Sequence, residues 1–286
     1  MVREHIEKIP SRCEDSHKGD YGKVFVLAGS RGMTGAAYLC SQGALYSGSG
    51  LVTNGIPQSL NSIMEVKLTE AMTLSLPETD NQCLSLKAKG KILEFSKNCD
   101  AVVLGPGLGA EGSTRMLVNE LLEKIEQPVV LDADGINALE GNLDVLRARE
   151  FRAVLTPHPG EMARLLNKNV DEIQSNRIDM ARSVAEVTGF VVCLKGHKTV
   201  VASPEGKIYV NETGNSGMAS GGSGDILTGM IASFIGQGVE DYSSAVCAVY
   251  LHGLAGDVAA EEIGQFSMTA TDILDFLPEA FDKAGM

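Results

Sequence analysis

The chain has 286 residues, of which 44% are hydrophobic and 21% charged, enough to bury a sizeable core in one large α/β domain or two small ones. The formal charge of −13 argues against a nucleic-acid partner, although backbone N–H groups could still bind an anion locally. Apolar runs are short and Met1 to Asp20 is polar, so we expect no signal peptide, membrane span or membrane partner. The six cysteines are scattered without a C-x-x-C pair, which favours a reducing cytoplasm over a zinc or disulfide framework.

Apolar runs typical of β-strands recur along the chain, and segments with helical periodicity lie between them. Several of these runs are continuously apolar rather than alternating, as expected of strands covered on both faces of a sheet. We predict strands at residues 23–29, 71–76, 101–107, 128–135, 153–160 and 190–196.

Helical patterns fill much of the remaining chain. Residues 113–126 form an amphipathic pattern for which Ser113 is the expected N-cap. Residues 35–50 indicate a helix that begins with small side chains. Further helices are predicted at residues 176–188, 225–236 and about 242–262.

The pattern changes beyond Lys195, where two short runs flank Glu205-Gly206 and predict a β-hairpin. No Pro/Ser-rich linker and no repeat divides the chain. Residues 1–286 are therefore predicted to form one doubly wound α/β domain, with a mainly parallel sheet and helices on both faces.

Glycines and polar residues are concentrated where the predicted strands end. In doubly wound sheets, ligands bind beyond the carboxyl ends of the strands, so these residues indicate the position of a binding site. They are Gly29, Gly105, Gly107, Asp132, Asp134, His158, Glu161 and Lys195.

Residues 214–224 carry mostly small side chains and lead into Asp225, which opens an apolar helix. A helix N-terminus offers free N–H donors and a positive partial charge, and glycines let a phosphate approach the backbone closely. The stretch therefore predicts a phosphoryl site rather than an ordinary loop in which Asp225 merely caps a helix. A carboxylate there can accept a proton from an attacking hydroxyl, although the helix dipole is expected to make Asp225 a weak base.

The segment GGSGD at residues 221–225 resembles the anion-hole and catalytic-aspartate segment of the ribokinase-like superfamily. With five further stretches in the same order, it resembles the ADP/ATP-dependent NAD(P)H-hydrate dehydratases, a carbohydrate-kinase-like branch of that superfamily. The resemblance covers residues 18–278 and rests on the stretches at 18–52, GPGLG (105–109), LDADGINAL (131–139), LTPHPGEMARLL (155–166), LKGHKTVVASP (194–204) and GNSGMASGGSGDILTGMIA (214–232).

This resemblance implies repair of NADHX and NADPHX, the hydrated forms of NADH and NADPH. The hydroxyl of the hydrated ring would be phosphorylated and then expelled as phosphate, with Mg²⁺ as the cofactor. Bacterial members of the family typically convert ADP to AMP, whereas eukaryotic members use ATP, and no residue of this chain decides between the two donors or between NADHX and NADPHX. The resemblance also implies a homotetramer, and no segment resembles the epimerase domain that is often fused to such enzymes.

The resemblance also implies roles for individual residues. Asp225 would be the general base, and the backbone N–H groups of Gly222, Ser223 and Gly224 would form the anion hole. The nucleotide would contact Gly224 and the segment Lys195, Gly196, His197, Lys198 and Thr199. The NAD(P)HX substrate would contact Ala36, Gly107, His158 and Asp225, while Glu161 would organise Mg²⁺ through water.

Several of these residues have ordinary structural alternatives. His197 and Thr199 could belong to a polar connection into the hairpin, and Glu161 could be a first-turn glutamate favoured by its helix dipole. Asp132 and Asp134 could be capping residues or distant cation partners. In one departure from the family pattern, Ser216 stands where proline is common.

Three other functions compete with dehydration. A vitamin-precursor kinase of the same fold would use the same aspartate chemistry, but PHPGE and GPGLG favour the dehydratase. An NAD-linked dehydrogenase is suggested by GPGLGA at residues 105–110, yet Asp132 lies further along than the usual spacing of roughly 20 residues. A catalytically silent nucleotide sensor would not need Asp225 and its anion hole. A Walker-A kinase is excluded, because G-x-x-x-x-G-K-[ST] does not occur.

Overall fold

The computed structural model describes residues 2–286, so that Met1, the first residue of the predicted domain, lies outside the described residues. Its centre is a nine-stranded β-sheet. The strands are β1 (Lys23–Leu27), β2 (Leu51–Pro57), β3 (Met72–Leu76), β4 (Ala101–Leu104), β5 (Val129–Leu131), β6 (Ala153–Leu155), β7 (Val191–Leu194), β8 (Val200–Ala202) and β9 (Ile208–Val210).

The strands lie in the order β3-β2-β1-β4-β5-β6-β7-β8-β9. All pairs from β3 to β7 are parallel, whereas β8 and β9 pair antiparallel as the predicted hairpin. The strand order reverses direction between β1 and β4, the kind of switch point at which doubly wound folds bind ligands. The predicted α/β, doubly wound, mainly parallel fold is confirmed.

Helices cover both faces of this sheet. They are α1 (Arg3–Ile6), α2 (Thr34–Tyr46), α3 (Asn61–Lys67), α4 (Lys89–Ser96), α5 (Gly112–Lys124), α6 (Asp134–Asn137), α7 (Asp144–Arg147), α8 (Pro159–Leu166), α9 (Val170–Ser175), α10 (Arg177–Thr188), α11 (Ser223–Gly236), α12 (Asp241–Ile263), α13 (Ala270–Asp275) and α14 (Leu277–Ala284). Each face has its own apolar core: α2, α11 and α12 pack on one, and α5, α8 and α10 on the other. Among residues 2–286, no helix has both the length and the apolar character needed to cross a membrane.

Two local predictions are corrected by the structure. Strand β2 was not predicted, because its sequence LVTNGIP interrupts the apolar run with Asn54 and Gly55. Asn54 is nevertheless fully buried, since its side-chain amide donates to the Val26 carbonyl of the neighbouring strand. The predicted N-cap role of Ser113 is wrong: α5 begins at Gly112, and the Ser113 hydroxyl accepts a hydrogen bond from the Leu86 backbone instead.

Candidate active site

Helices α2 and α11 lie side by side and run in the same direction. Leu39 opposes Gly222 near their first turns, and the Ser47 carbonyl accepts a hydrogen bond from Ser233 near their ends. The helices approach closely because a Cβ on Gly229 would overlap the Cys40 carbonyl. Both N-termini, with their positive partial charges, therefore lie at the carboxyl edge of the sheet, where anions are favoured.

The predicted substrate residues Ala36 and Gly107 meet at the switch point. A Cβ on Gly107, which has φ +62°, would lie 3.1 Å from the Cβ of Ala36, so only glycine lets this loop approach the start of α2 this closely. The loops after β1 and β4 are joined by hydrogen bonds from Gly29 N–H to the Pro106 carbonyl and from the Ser30 hydroxyl to the Gly107 carbonyl, both 2.8 Å.

The predicted anion hole lies at the N-terminus of α11. Gly222 is its N-cap, with φ +99°, a left-handed conformation that favours glycine. Within residues 2–286, the backbone N–H groups of Gly222, Ser223 and Gly224 donate no hydrogen bond, so these three donors are free for an anion. The structure thus brings the three predicted residues together in a turn that ends at Asp225.

Asp225 is the third residue of α11 and is mostly buried. Burial, reinforced by the negative charge of Asp132 and opposed by the positive charge of Lys195, raises the pKa of Asp225 to about 7. The expectation that the helix dipole would make it a weak base is therefore wrong, because desolvation and the neighbouring carboxylates outweigh the dipole. A pKa near 7 is suited to a general base at neutral pH.

Lys195 enters the same site from the end of β7. Its ammonium lies 2.5 Å from a carboxylate oxygen of Asp132, which follows β5, and the Asp132 side chain is only 1% exposed. The other oxygen of Asp132 accepts a hydrogen bond from the Thr228 hydroxyl of α11 at 2.7 Å. A Cβ on Gly224 would lie 3.2 Å from the Lys195 ammonium, so the lysine passes directly beside the anion hole.

His158 and Glu161 form a reciprocal cap at the start of α8. The His158 ring accepts hydrogen bonds from the backbone of Gly160 and Glu161, while a Glu161 oxygen accepts the His158 backbone N–H at 2.8 Å. Burial alone would raise the pKa of Glu161, but the hydrogen bond from His158 and the charge of Lys195 hold it below its usual value. Glu161 is thus a buried, ionised first-turn glutamate, and the ring of His158 stays half exposed at 49%.

The other residues of the predicted nucleotide segment, Gly196 to Thr199, have no described contact with Asp225. Gly196, His197 and Lys198 are exposed, and the Thr199 hydroxyl donates to the Gly196 carbonyl. His197 and Lys198 line a surface cavity of about 500 Å³ together with Arg177 and other residues that precede and begin α10. Lys195 therefore belongs to the site around Asp225, while His197 and Lys198 face this surface cavity.

Sequence reasoning missed two residues of α12 that support the glycine-rich loop. His252 is 6% exposed, and its Nε2 lies 3.3 Å from the Ser223 hydroxyl. Burial lowers the pKa of His252 to about 4, so the ring is neutral at pH 7. Asp257 accepts hydrogen bonds from the Gly214 backbone at 2.8 Å and from the Asn215 side chain at 2.9 Å. Both lie in a helix distant in sequence, and no local motif identified them.

Mg²⁺ would find few protein ligands at this site. Within residues 2–286, no group of three or more histidine, cysteine or acidic side chains is arranged to hold a metal ion. Both oxygens of Glu161 already contact His158. This carboxylate is therefore suited to contact an ion through a bound water molecule rather than to bind it directly in a protein cage. Such a site fits Mg²⁺, which is commonly held by substrate phosphates and water together with one or two carboxylates.

Comparison with known proteins shows the family to which the chain belongs. Residues 24–279 match the Carb_kinase family, described as NAD(P)H-hydrate dehydratase. The chain belongs to the NAD(P)H-hydrate dehydratase family. It is 40% identical over 263 residues to the ADP-dependent (S)-NAD(P)H-hydrate dehydratase of Neisseria meningitidis, with 91% of this chain and 84% of that protein covered.

Other relatives in this family are larger. The bifunctional NAD(P)H-hydrate repair enzyme Nnr of Moorella thermoacetica is 47% identical over 271 residues, which cover 95% of this chain and 51% of the relative. The chain thus spans about half the length of such bifunctional relatives. Among solved structures, the ADP/ATP-dependent NAD(P)H-hydrate dehydratase of Bacillus subtilis, co-crystallised with ATP and Mg²⁺, superposes with a TM-score of 0.84 at 32% identity, over 99% of this chain and 97% of that one. A ribokinase-like superfamily protein of Enterococcus faecalis superposes with a TM-score of 0.83 at 25% identity, over 99% of this chain and 95% of that one, so the ribokinase-like fold is confirmed.

Proposed function

We propose that the chain is an ADP-dependent (S)-NAD(P)H-hydrate dehydratase. The observation that carries the proposal is the position of Asp225, a buried carboxylate with a pKa of about 7 that directly follows three free backbone donors. A base next to an anion hole suits the transfer of a phosphoryl group to a hydroxyl. The name of the Neisseria meningitidis relative supports ADP as the donor, and that of the Bacillus subtilis structure supports ADP or ATP.

The reaction has two steps in this proposal. First, the hydroxyl oxygen of the hydrated nicotinamide ring attacks the terminal phosphorus of ADP; Asp225 takes the hydroxyl proton, and the bond to AMP breaks. Second, the carbon–oxygen bond to the phosphate breaks with help from the lone pair of the ring nitrogen. The adjacent ring carbon loses a proton to water, and a carbon–carbon double bond forms. NAD(P)HX and ADP thereby give NAD(P)H, AMP and inorganic phosphate.

The anion hole and Lys195 have complementary roles. The N–H groups of Gly222, Ser223 and Gly224 stabilise the charge on the transferring phosphoryl group, and the Lys195 ammonium lies beside the same turn. Gly196, His197, Lys198 and Thr199 are proposed to extend the nucleotide contact, supported by the exposure of His197 and Lys198 toward the cavity next to α10.

The NAD(P)HX substrate is proposed to bind where the loops after β1, β4 and β6 converge. Ala36 and Gly107 offer a surface without side-chain bulk, and the half-exposed ring of His158 lies at the end of β6. The substrate hydroxyl would then face Asp225 at the start of α11. In this proposal the reacting ring, and not only the donor, lies at the carboxyl edge of the sheet.

Mg²⁺ is proposed as the cofactor, with Glu161 contacting it through water. When bound, the ion would neutralise charge on the donor phosphates. The protein's own part is to keep Glu161 ionised, which the capping contact with His158 achieves.

Further properties are proposed from the resemblance. Residues 1–286 act as one dehydratase domain, and the chain assembles as a homotetramer in the cytoplasm. All six cysteines are free thiols, which is compatible with a reducing compartment. Light scattering of the purified chain tests the tetramer, whose mass would be four times 30.2 kDa.

The experiment that tests the function supplies NADHX, Mg²⁺ and either ADP or ATP, and follows NADH absorbance together with AMP and phosphate release. Asp225→Asn should abolish NADH formation while nucleotide binding, measured by calorimetry, is retained. A stable phosphorylated product without NADH would instead support the small-molecule kinase. Equal rates in the wild type and Asp225→Asn would overturn the mechanism.

A further inference from the structure

Asp132 is a buried carboxylate for which the proposed reaction has no direct use. It follows β5, whereas its ion-pair partner Lys195 follows β7, so the pair extends across the end of the intervening strand β6. Asp132 has a side-chain exposure of 1% and Lys195 of 16%. Taking two charges out of water costs several kcal/mol per ion before their attraction compensates, so a pair in this position needs a reason other than stability alone.

The contacts of Asp132 hold its carboxylate in one orientation. One oxygen accepts from the Thr228 hydroxyl, which also donates to the Gly224 carbonyl at 3.0 Å. The other oxygen receives the Lys195 ammonium. Asp132 is therefore fixed to the first turns of α11 on one side and presents a single oxygen to the lysine on the other.

The ammonium has competing partners within the same site. Burial alone would lower the pKa of Lys195, but the carboxylates of Asp132 and Glu161 raise it, so the amine stays charged. Asp225 also lies near Lys195, close enough for the ammonium to lower the pKa of that carboxyl. Were Asp132 neutral, the Lys195 ammonium would be drawn toward Asp225 or Glu161. A move to Asp225 would pair the cation with the proposed base, and a move to Glu161 would shift the cation away from Gly224.

We propose that Asp132 is a positioning residue that holds the Lys195 ammonium beside Gly224, where the cation faces the transferring phosphoryl group and leaves the Asp225 carboxylate free. The inference rests on the proposed function. It adds a residue that contacts neither substrate nor nucleotide. Apart from its charge effect on Asp225, Asp132 acts through Lys195.

A double-mutant cycle tests this dependence. Asp132→Asn keeps the shape of the side chain and an acceptor for Thr228 but removes the charge. We expect kcat to fall roughly 10²-fold, because a misplaced catalytic group typically costs about that much, with a smaller change in the KM for ADP. Lys195→Met should lower kcat at least as much. At pH 9, where Asp225 is ionised in every variant, the Asp132→Asn/Lys195→Met double variant should be no slower than Lys195→Met alone, because Asp132 has nothing left to position.

Folding is controlled separately. Lys195→Met leaves an unpaired buried carboxylate and can destabilise the chain, whereas the double variant removes both charges and should fold. The matched control is Asp241→Asn, which breaks the ion pair between Arg152 and Asp241 far from Asp225. That variant should lower the melting temperature without lowering kcat per folded molecule.

Three outcomes would overturn the inference while the wild type still converts NADHX to NADH. These are a kcat for Asp132→Asn within twofold of wild type, single-variant losses that multiply in the double variant, and a loss explained entirely by the unfolded fraction. A wild type that forms no NADH from NADHX with either donor would instead overturn the proposed function.

Discussion

The carboxylate of Asp257 accepts a hydrogen bond from the side-chain amide of Asn215 at 2.9 Å, and its second oxygen accepts the neighbouring Gly214 backbone N–H. Asn215 in turn donates to the Gly256 carbonyl and accepts from the Gly217 N–H. Helix α12 thus fixes the entry to the glycine-rich loop, just as His252 contacts its exit at Ser223. The flexible composition of the loop is offset by anchors at both ends.

Replacing Asp257 by Asn should disorder this entry. The new side chain has one acceptor oxygen for two donors, so its NH2 group would face either the Asn215 amide or the Gly214 N–H, donor against donor. We expect kcat to fall by up to roughly 10²-fold because the anion hole is displaced. Steady-state rates with ADP and NADHX measure the loss. A kcat for Asp257→Asn within twofold of wild type would contradict this account.

The N-cap glycine of α11 offers a matched pair of substitutions. Gly222→Ala introduces a Cβ that would overlap Leu39 in a backbone with φ +99°, whereas a Cβ on Gly221 meets nothing within 4 Å. We expect Gly222→Ala to cost about 1–2 kcal/mol in backbone strain and to abolish most activity. Gly221→Ala should keep stability and turnover close to wild type. Thermal unfolding and NADH formation compare the two variants, and equal effects would refute the role of the Gly222 conformation.

Much of this architecture is predictable from sequence, and the exceptions have physical causes. The continuous apolar runs of the buried parallel strands identified β1, β4, β5, β6 and β7. The small residues before Asp225 predicted an anion site, and the structure places three free N–H donors there. Strand β2 was missed because the amide NH2 of the polar Asn54 finds its acceptor on a neighbouring strand, a pairing that the local sequence cannot reveal.

The site's electrostatics were also beyond the sequence. The helix dipole alone indicates a weak base at Asp225, whereas burial and Asp132, which lies 93 positions earlier, reverse that conclusion. Asp132 itself was predicted only as a cap or a distant cation partner, because its pairing with Lys195 depends on how far apart β5 and β7 lie in the sheet. Contacts between residues this far apart in sequence can be known only from the fold, not from the local motifs.

The pH dependence of turnover should follow Asp225. Only the ionised carboxylate accepts the hydroxyl proton, so kcat/KM is expected to fall tenfold per pH unit below about 7 and to level off above it. Initial rates between pH 5 and pH 9, with intrinsic tyrosine fluorescence as a check on folding, measure this profile. An acid limb near pH 4 would mean that the base is not desolvated as the structure indicates.

The same carboxyl should make stability depend on pH in the opposite direction to a salt-bridged aspartate. Its folded pKa of about 7 lies above the reference value of 3.8, so the folded chain holds more protons than the unfolded chain between these values. Stability from this group is therefore present below about pH 4 and is lost as pH rises toward 7.

Asp225→Asn removes the free-energy cost of ionising a buried carboxyl in the folded chain. We expect the variant to be more stable than wild type at pH 8, by on the order of 2–4 kcal/mol, and the difference to vanish near pH 4. Urea unfolding at both pH values measures the difference. A variant less stable than wild type at pH 8 would contradict the burial of an ionised Asp225, and the Asp241→Asn variant controls for the general loss of a carboxylate.

Helices α2 and α11 are in backbone contact along their length, through Gly43 against Ile226 and Gly229 against Cys40. One of these helices begins beside the predicted substrate loop and the other at the predicted anion hole, so the two halves of the site behave as one solid block. A hinge movement between the proposed donor and acceptor sites would have to break this backbone contact. In the proposed reaction, the entry of ligands and the release of products would then depend on the surrounding loops, whose motion can limit turnover.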